Sequence, residues 1–84
     1  MEQVEIIETI GDKTFRIAKI CGSIYVECKN RRSDFGRYIT VHTSHPDSGS
    51  NTVSMNTYGR YSIDLFQFMW VMNKITELLS EDQP

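Results

Sequence analysis

The spacing of apolar residues changes once along this chain, and that change most constrains the fold. Through the first 57 residues, apolar and polar residues tend to alternate with the period of two that is typical of a β-strand. From residue 63 onward the apolar residues follow the spacing of an α-helix. A chain of 84 residues has room for one hydrophobic core. The sequence therefore predicts a single domain, residues 1–84, with a sheet and one helix.

Five stretches have the alternation and composition of strands, and turn residues separate them. Gly11 and Asp12 mark the first turn, and Ile24, Val26 and Cys28 share one face of the third stretch. The predicted strands are about residues 4–10, 14–20, 24–29, 37–43 and 52–57, with a loop at 44–51 before the last strand. Because the other connections are short, the strands are expected to form an antiparallel meander.

The predicted helix covers about residues 62–80 and follows the last strand. Ser62 is a good N-cap, and Asp64 would lie in the first turn, where the helix dipole favours a carboxylate. The predicted core-facing stripe consists of Leu65, Phe68, Met72, Ile75 and Leu79. Val53 and Met55 of the fifth strand are predicted to face inward as well. The predicted fold class is α+β, an antiparallel β-meander of about five strands covered on one face by a single C-terminal α-helix.

A second side of the predicted helix is also apolar, because it carries Ile63, Phe66 and Trp70. A single sheet can bury only one side of a helix, so we expect the second side to be partly exposed and to bind another protein. Two alternatives stay open at this point. A neighbouring segment folds back over this side as additional core, or two copies of the chain form a homodimer through it.

The net charge of -2 conceals a basic block in the first half of the chain. Residues 1–12 are purely acidic, whereas residues 13–37 are mostly basic, and cross-strand pairing of the first two strands would neutralise part of both. Within the basic block, Arg31, Arg32 and Arg37 accompany Phe35, a combination that suits an acidic protein surface or phosphates and stacked bases. The sequence pI of 5.6 makes nucleic-acid binding through residues 29–37 the alternative, and protein binding the first prediction.

No combination of residues predicts an active site, a metal site or a cofactor site. His42 and His45 are three residues apart, but Cys21 and Cys28 are too widely spaced for the turn that holds a structural zinc ion. The glycines are isolated, so no phosphate-binding loop is present. We therefore predict a protein that is not an enzyme, with no catalytic residue, no metal ligand and no cofactor.

The chain has neither an apolar run of about 18 residues nor the basic start of a secretory signal, so we predict a cytoplasmic protein without membrane contact. In length, acidic composition and order of elements it is similar to small accessory proteins of phages and mobile elements, including anti-CRISPR proteins. That resemblance implies an inhibitor that occludes a functional surface of a larger complex. The predicted partner-binding residues are Ile63, Phe66, Trp70, Arg31, Arg32, Phe35 and Arg37.

Overall fold

The computed structural model describes residues 4–20, 22–43, 53–58 and 62–80. Its elements are β1 (Val4–Ile10), β2 (Lys13–Ile20), β3 (Ser23–Asn30), β4 (Gly36–Thr43), β5 (Val53–Thr57) and the helix α1 (Leu65–Ser80). The strands form one sheet in the order β1-β2-β3-β4-β5, and every neighbouring pair is antiparallel. The predicted α+β meander is confirmed. Thr52 and the predicted loop at 44–51 lie outside the described residues.

A turn at Gly11 and Asp12 joins β1 to β2 so tightly that the sequence needs a glycine there. Gly11 has φ of 68°, in the left-handed region where a side chain is strained. The register pairs Ile10 with Lys13 on either side of the turn. A Cβ atom at Gly11 would also lie 3.2 Å from Nε2 of Gln67, because α1 packs directly against this turn.

The hydrophobic core lies between α1 and the inward faces of β2, β3 and β4. Its buried members are Phe15, Ile17, Ile24, Val26, Cys28, Ile39, Val41, Val71, Ile75 and Leu78. The inward positions predicted for the third strand are confirmed, since Ile24, Val26 and Cys28 are buried in β3 and the residues between them are not. Burial raises the pKa of the Cys28 thiol, which keeps this side chain in its neutral form.

Both ends of α1 are tied to the β2 hairpin by buried polar side chains. Near the start of the helix, Nε2 of Gln67 donates to the carbonyl oxygen of Ile10 at 2.8 Å and to Oδ1 of Asp12 at 3.0 Å. Near its end, Nζ of Lys19 donates to the carbonyl oxygen of Leu78 at 2.7 Å. The helix therefore runs in the same direction as β2 and lies above it. The Gln67 hydrogen bond and Lys13 lower the pKa of the Asp12 carboxyl.

The helix begins two residues later than the predicted N-cap implies. Asp64 caps it, since the Gln67 amide donates to Oδ1 of Asp64 at 2.8 Å and the Asp64 amide donates to Oε1 of Gln67 at 2.9 Å. This reciprocal pair is a capping box, and it satisfies two backbone donors at once. The prediction that Ser62 caps the helix was wrong because the Asp64 side chain has a partner at the right spacing.

The predicted core-facing stripe of the helix is confirmed at Ile75 but was wrong at Leu65 and Phe68. Gln67, Val71, Ile75 and Leu78 are buried, whereas Leu65 and Phe68 are 69% and 46% exposed. Gln67 determines which side of the helix faces the sheet. It is 2% exposed because its side-chain amide forms a hydrogen bond with the β1–β2 turn. A polar residue thus occupies the core side and turns two apolar residues toward solvent. Met72 and Leu79 are half-buried at the edge of the core.

The hydroxyl of Thr40 has no hydrogen-bond partner among the residues that the structure describes, and Thr40 is only 2% exposed. An unpaired buried hydroxyl has lost its water without compensation. Thr40→Val keeps the β-branched shape and removes this group, so we expect the free energy of unfolding to stay the same or to rise by up to about 1 kcal/mol. Urea unfolding measures this, and a loss of more than about 1 kcal/mol would show that the hydroxyl is paired in solution.

Candidate partner-binding surfaces

The outer side of the first half of α1 presents a patch of large apolar side chains. Leu65, Phe66, Phe68 and Met69 are all exposed, and Phe66 is the most exposed of them at 80%. We call these four residues the helix surface. They lie there because the capping box and the buried Gln67 fix the rotation of the helix on the sheet. Of the predicted residues, Phe66 is therefore fully available to a partner.

Trp70 and Ile63, which the sequence placed on the same side as Phe66, are half-buried. The Trp70 ring centroid lies 6.0 Å from that of Phe15, and both Trp70 and Ile63 pack against the core. The ammonium group of Lys74 lies 5.9 Å from the Trp70 ring centroid. Trp70 and Ile63 thus help to cover the core. A substitution at either would lower the free energy of unfolding as well as change any binding.

The fifth strand adds a second exposed apolar strip on the same side of the sheet as α1. The register pairs Met55 with Val41, a core residue, so these two side chains share a face. Val53 and Met55 are nevertheless 55% and 52% exposed. Both side chains therefore face inward as predicted, but they stay exposed because α1 lies above β2 and does not extend over β5.

The opposite side of the sheet, which we call the outer face, carries the predicted basic segment at one end. Arg31 and Arg32 are exposed in the turn after β3. The Phe35 ring is half-buried, with the Arg16 guanidinium 4.3 Å and the Lys29 ammonium 5.2 Å from its centroid. The basic segment is therefore packed onto the sheet through Phe35.

A β-bulge places Arg37 on the outer face. The register shifts between Val26 and Glu27, so that Val26 pairs with Ile39 while Glu27 pairs with Arg37. Without the extra residue, Tyr38, the alternation of β4 would point Arg37 toward the core. The Arg37 guanidinium instead lies within 6 Å of two ring centroids, at 5.8 Å from Tyr25 and 5.9 Å from Tyr58.

Three residues of this arrangement were missed by the sequence reasoning: Arg16, Tyr25 and Tyr58. They come from three different segments, and only the strand register brings them together. Tyr25 could have been found from its outward position in the alternating third strand. For Arg16 and Tyr58 the sequence offers no comparable signal.

The expected pairing of an acidic first strand with a basic second strand does not match the register. Glu5 lies opposite Ala18, and Glu8 lies opposite Phe15. The ion pair on the outer face joins β2 to β3, where the Arg16 side chain approaches Oε1 of Glu27 to 2.6 Å. The acidic and basic blocks of the sequence therefore do not face each other residue by residue.

The described residues contain no group of three or more His, Cys, Asp or Glu side chains that could hold a metal ion. Cys21 and His45, two of the four residues of the zinc site that the sequence argues against, lie outside the described part of the chain. In the ranges that the structure covers, the helix is shorter and less apolar than a membrane-crossing helix must be. Comparisons with protein families, with curated proteins and with solved structures found no match.

Proposed function

We propose that this chain is a non-enzymatic protein-binding module whose partner binds the helix surface. The observation that supports it is the exposure of Phe66 at 80%, next to Leu65 and Met69, on a helix whose other side is fixed in the core. Phenylalanine side chains are typical anchors of protein interfaces, because each ring removes a large apolar area from water. A patch of several neighbouring large apolar side chains on the surface of a small protein is typical of an interaction site.

The partner that fits this surface is a protein with an apolar groove. The four side chains of the helix surface are uncharged and stand on the convex side of a helix. A convex apolar helix is recognised by insertion into a groove, and an ionised group opposite it would lose water without gaining a counter-charge. The resemblance noted from the sequence suggests an inhibitor of the phage or mobile-element anti-defence type, such as an anti-CRISPR protein. In such an inhibitor, this helix would block a functional groove of a larger complex.

Phe66→Ser tests the proposal, because serine removes the ring without touching the core. We expect the affinity for the partner to fall by more than about 1–2 kcal/mol and the free energy of unfolding to change by no more than about 0.5 kcal/mol. Tagged wild-type and variant proteins are used in parallel to capture the partner from a lysate of the source cells. The dissociation constants of the purified complexes are then compared.

Glu77→Ser is the matched control, since Glu77 is an exposed residue of the same helix outside the helix surface. Its ion pair with Lys74, at 3.3 Å, is exposed and adds little to stability. This variant should retain the partner. Equal capture by wild-type protein and Phe66→Ser would refute the proposal. A dimer of this chain at micromolar concentration that Phe66→Ser dissociates would assign the helix surface to self-association instead.

A further inference from the structure

The outer face of the sheet forms a second surface, separate from the helix surface. Cross-strand neighbours on this face form rows, and the central row joins Glu5, Ala18, Tyr25 and Thr40 of four consecutive strands. The next row contains Arg16, Glu27 and Arg37. The helix packs on the other side of the sheet, so no helix or strand that the structure describes lies over this row; within the row Tyr25 is half-buried and Thr40 is 2% exposed.

A shallow depression of about 450 Å³ lies between these rows. It is lined by Glu5, Arg16, Ala18, Ile20, Tyr25, Glu27 and Arg37. The small side chain of Ala18, between Glu5 and Tyr25 in the central row, leaves the depression open. The depression is open to solvent, so a ligand would lie across it and not inside it.

Aromatic rings and cations alternate around the depression. Tyr25 lies at its wall, Phe35 and Tyr58 lie beyond the two arginines, and His42 meets Tyr25 edge to face at 6.1 Å. The guanidinium of Arg37 lies near both tyrosine rings. Rings that lie on an open sheet are the usual platform for unpaired bases, and arginines beside them bind phosphates or stack in turn.

The charges of this surface favour a phosphate backbone over a neutral ligand. Glu27, one of the two carboxylates that line the depression, is paired with Arg16 at 2.6 Å, which neutralises it. Lys29, Arg31, Arg32 and Arg37 form no ion pair with another residue that the structure describes. Among the described residues, Glu5 also lines the depression, and Asp34 lies in the connection between β3 and β4. Of the other carboxylates that the structure describes, Glu8 lies opposite the core residue Phe15, Asp12 lies in the β1–β2 turn beside α1, and Asp64 and Glu77 belong to α1.

We propose that the outer face binds a short segment of single-stranded nucleic acid. Bases stack on Tyr25 and Tyr58, while Arg37 and the cations of the turn after β3 contact phosphates. A double helix fits less well, since its bases are stacked on each other and do not reach flat rings on a sheet. An acidic peptide would use the cations but would gain nothing from the rings. This binding does not depend on the proposed protein partner, because the two surfaces lie on opposite sides of the molecule.

Fluorescence anisotropy with a labelled oligothymidylate of about twelve nucleotides tests the proposal at low salt, about 50 mM. Binding is expected, and Tyr25→Ala should weaken it roughly tenfold or more, since stacking on one ring is lost. Tyr25→Phe keeps the ring and should retain the affinity. Arg37→Gln should weaken binding and reduce the slope of log K against log salt by about 0.7, the value for one phosphate contact on a single strand.

Phe66→Ser should bind the oligonucleotide as well as wild type does, which separates this site from the helix surface. Circular dichroism and thermal unfolding establish that the Tyr25 variants are folded.

The proposal is overturned if oligothymidylate and oligouridylate both fail to bind at low salt, or if Tyr25→Ala binds as tightly as Tyr25→Phe. It is also overturned if polyglutamate competes for the site at equal charge concentration, a result that would assign the outer face to an acidic protein.

Discussion

Truncation of Phe15 to alanine should lower the free energy of unfolding by about 3–5 kcal/mol. Phe15 is completely buried in β2, with Cys28 opposite it on β3 and Trp70 of the helix at 6.0 Å between ring centroids. Removing the ring opens a cavity at the point where the helix rests on the sheet. Small domains have only about 5–15 kcal/mol of stability in total, so this loss is a large part of it.

Urea unfolding followed by tryptophan fluorescence measures the effect, because Trp70 is the single tryptophan of the chain and contacts Phe15. Ile7→Ala is the control. Ile7 also lies in a strand but is 56% exposed on the outer face, so its truncation should change stability by no more than about 0.5 kcal/mol. A loss below about 1 kcal/mol for Phe15→Ala would mean that the helix does not pack on β2 as described.

Gln67→Met should lower the free energy of unfolding by about 2–3 kcal/mol, although methionine is similar in size and more apolar. The amide of Gln67 is 2% exposed and forms three hydrogen bonds, with Asp64, Ile10 and Asp12. Methionine cannot replace them, so the carbonyl oxygen of Ile10 and the amide of Asp64 lose their partners in a part-buried site. The helix also loses one half of its capping box.

The neighbouring position supplies the comparison for Gln67→Met. Phe66→Ser removes a much larger apolar group, yet it should leave the free energy of unfolding nearly unchanged because Phe66 is 80% exposed. The expected order, with the polar residue more important for folding than the aromatic one, is the reverse of what hydrophobicity alone predicts. If Phe66→Ser proved the more destabilising of the two, the rotation of α1 on the sheet would be wrong.

The strands could be predicted from the sequence because their signals are local. Alternation within β3 separates Ile24, Val26 and Cys28 from their outward neighbours, and Gly11 marks the turn that begins β2. These features depend on residues that are adjacent in the chain. The order of the strands follows, because short connections leave few alternatives to a meander.

The rotation of the helix could not be predicted from apolar spacing, since its decisive contact is distant in sequence. Gln67 is buried because it bonds with Ile10 and Asp12, more than fifty residues earlier. A spacing rule assigns a glutamine to the surface and moves Leu65 or Phe68 inward. One local signal was present, however: an aspartate followed three residues later by a glutamine is the pattern of a capping box and marks Asp64 as the N-cap.

The two candidate surfaces could be predicted to different extents. The sequence predicted Phe66 and the arginines as candidates, because helical spacing gives the helix a second apolar side and the arginines lie in a basic block. It could not place Arg37 beside Tyr25, since that depends on the bulge in β4, nor show that Trp70 rests on Phe15. Contacts between strands and between layers require the register, which alternation within each strand does not contain.

The measurement that tests the central claim most directly is the dissociation constant of the captured partner for wild-type protein and for Phe66→Ser, determined by calorimetric titration. If the helix surface is the binding site, the variant binds at least about tenfold more weakly, which corresponds to about 1.4 kcal/mol, while its unfolding curve coincides with that of the wild type. Equal dissociation constants for the two proteins would contradict the claim and show that the partner binds elsewhere.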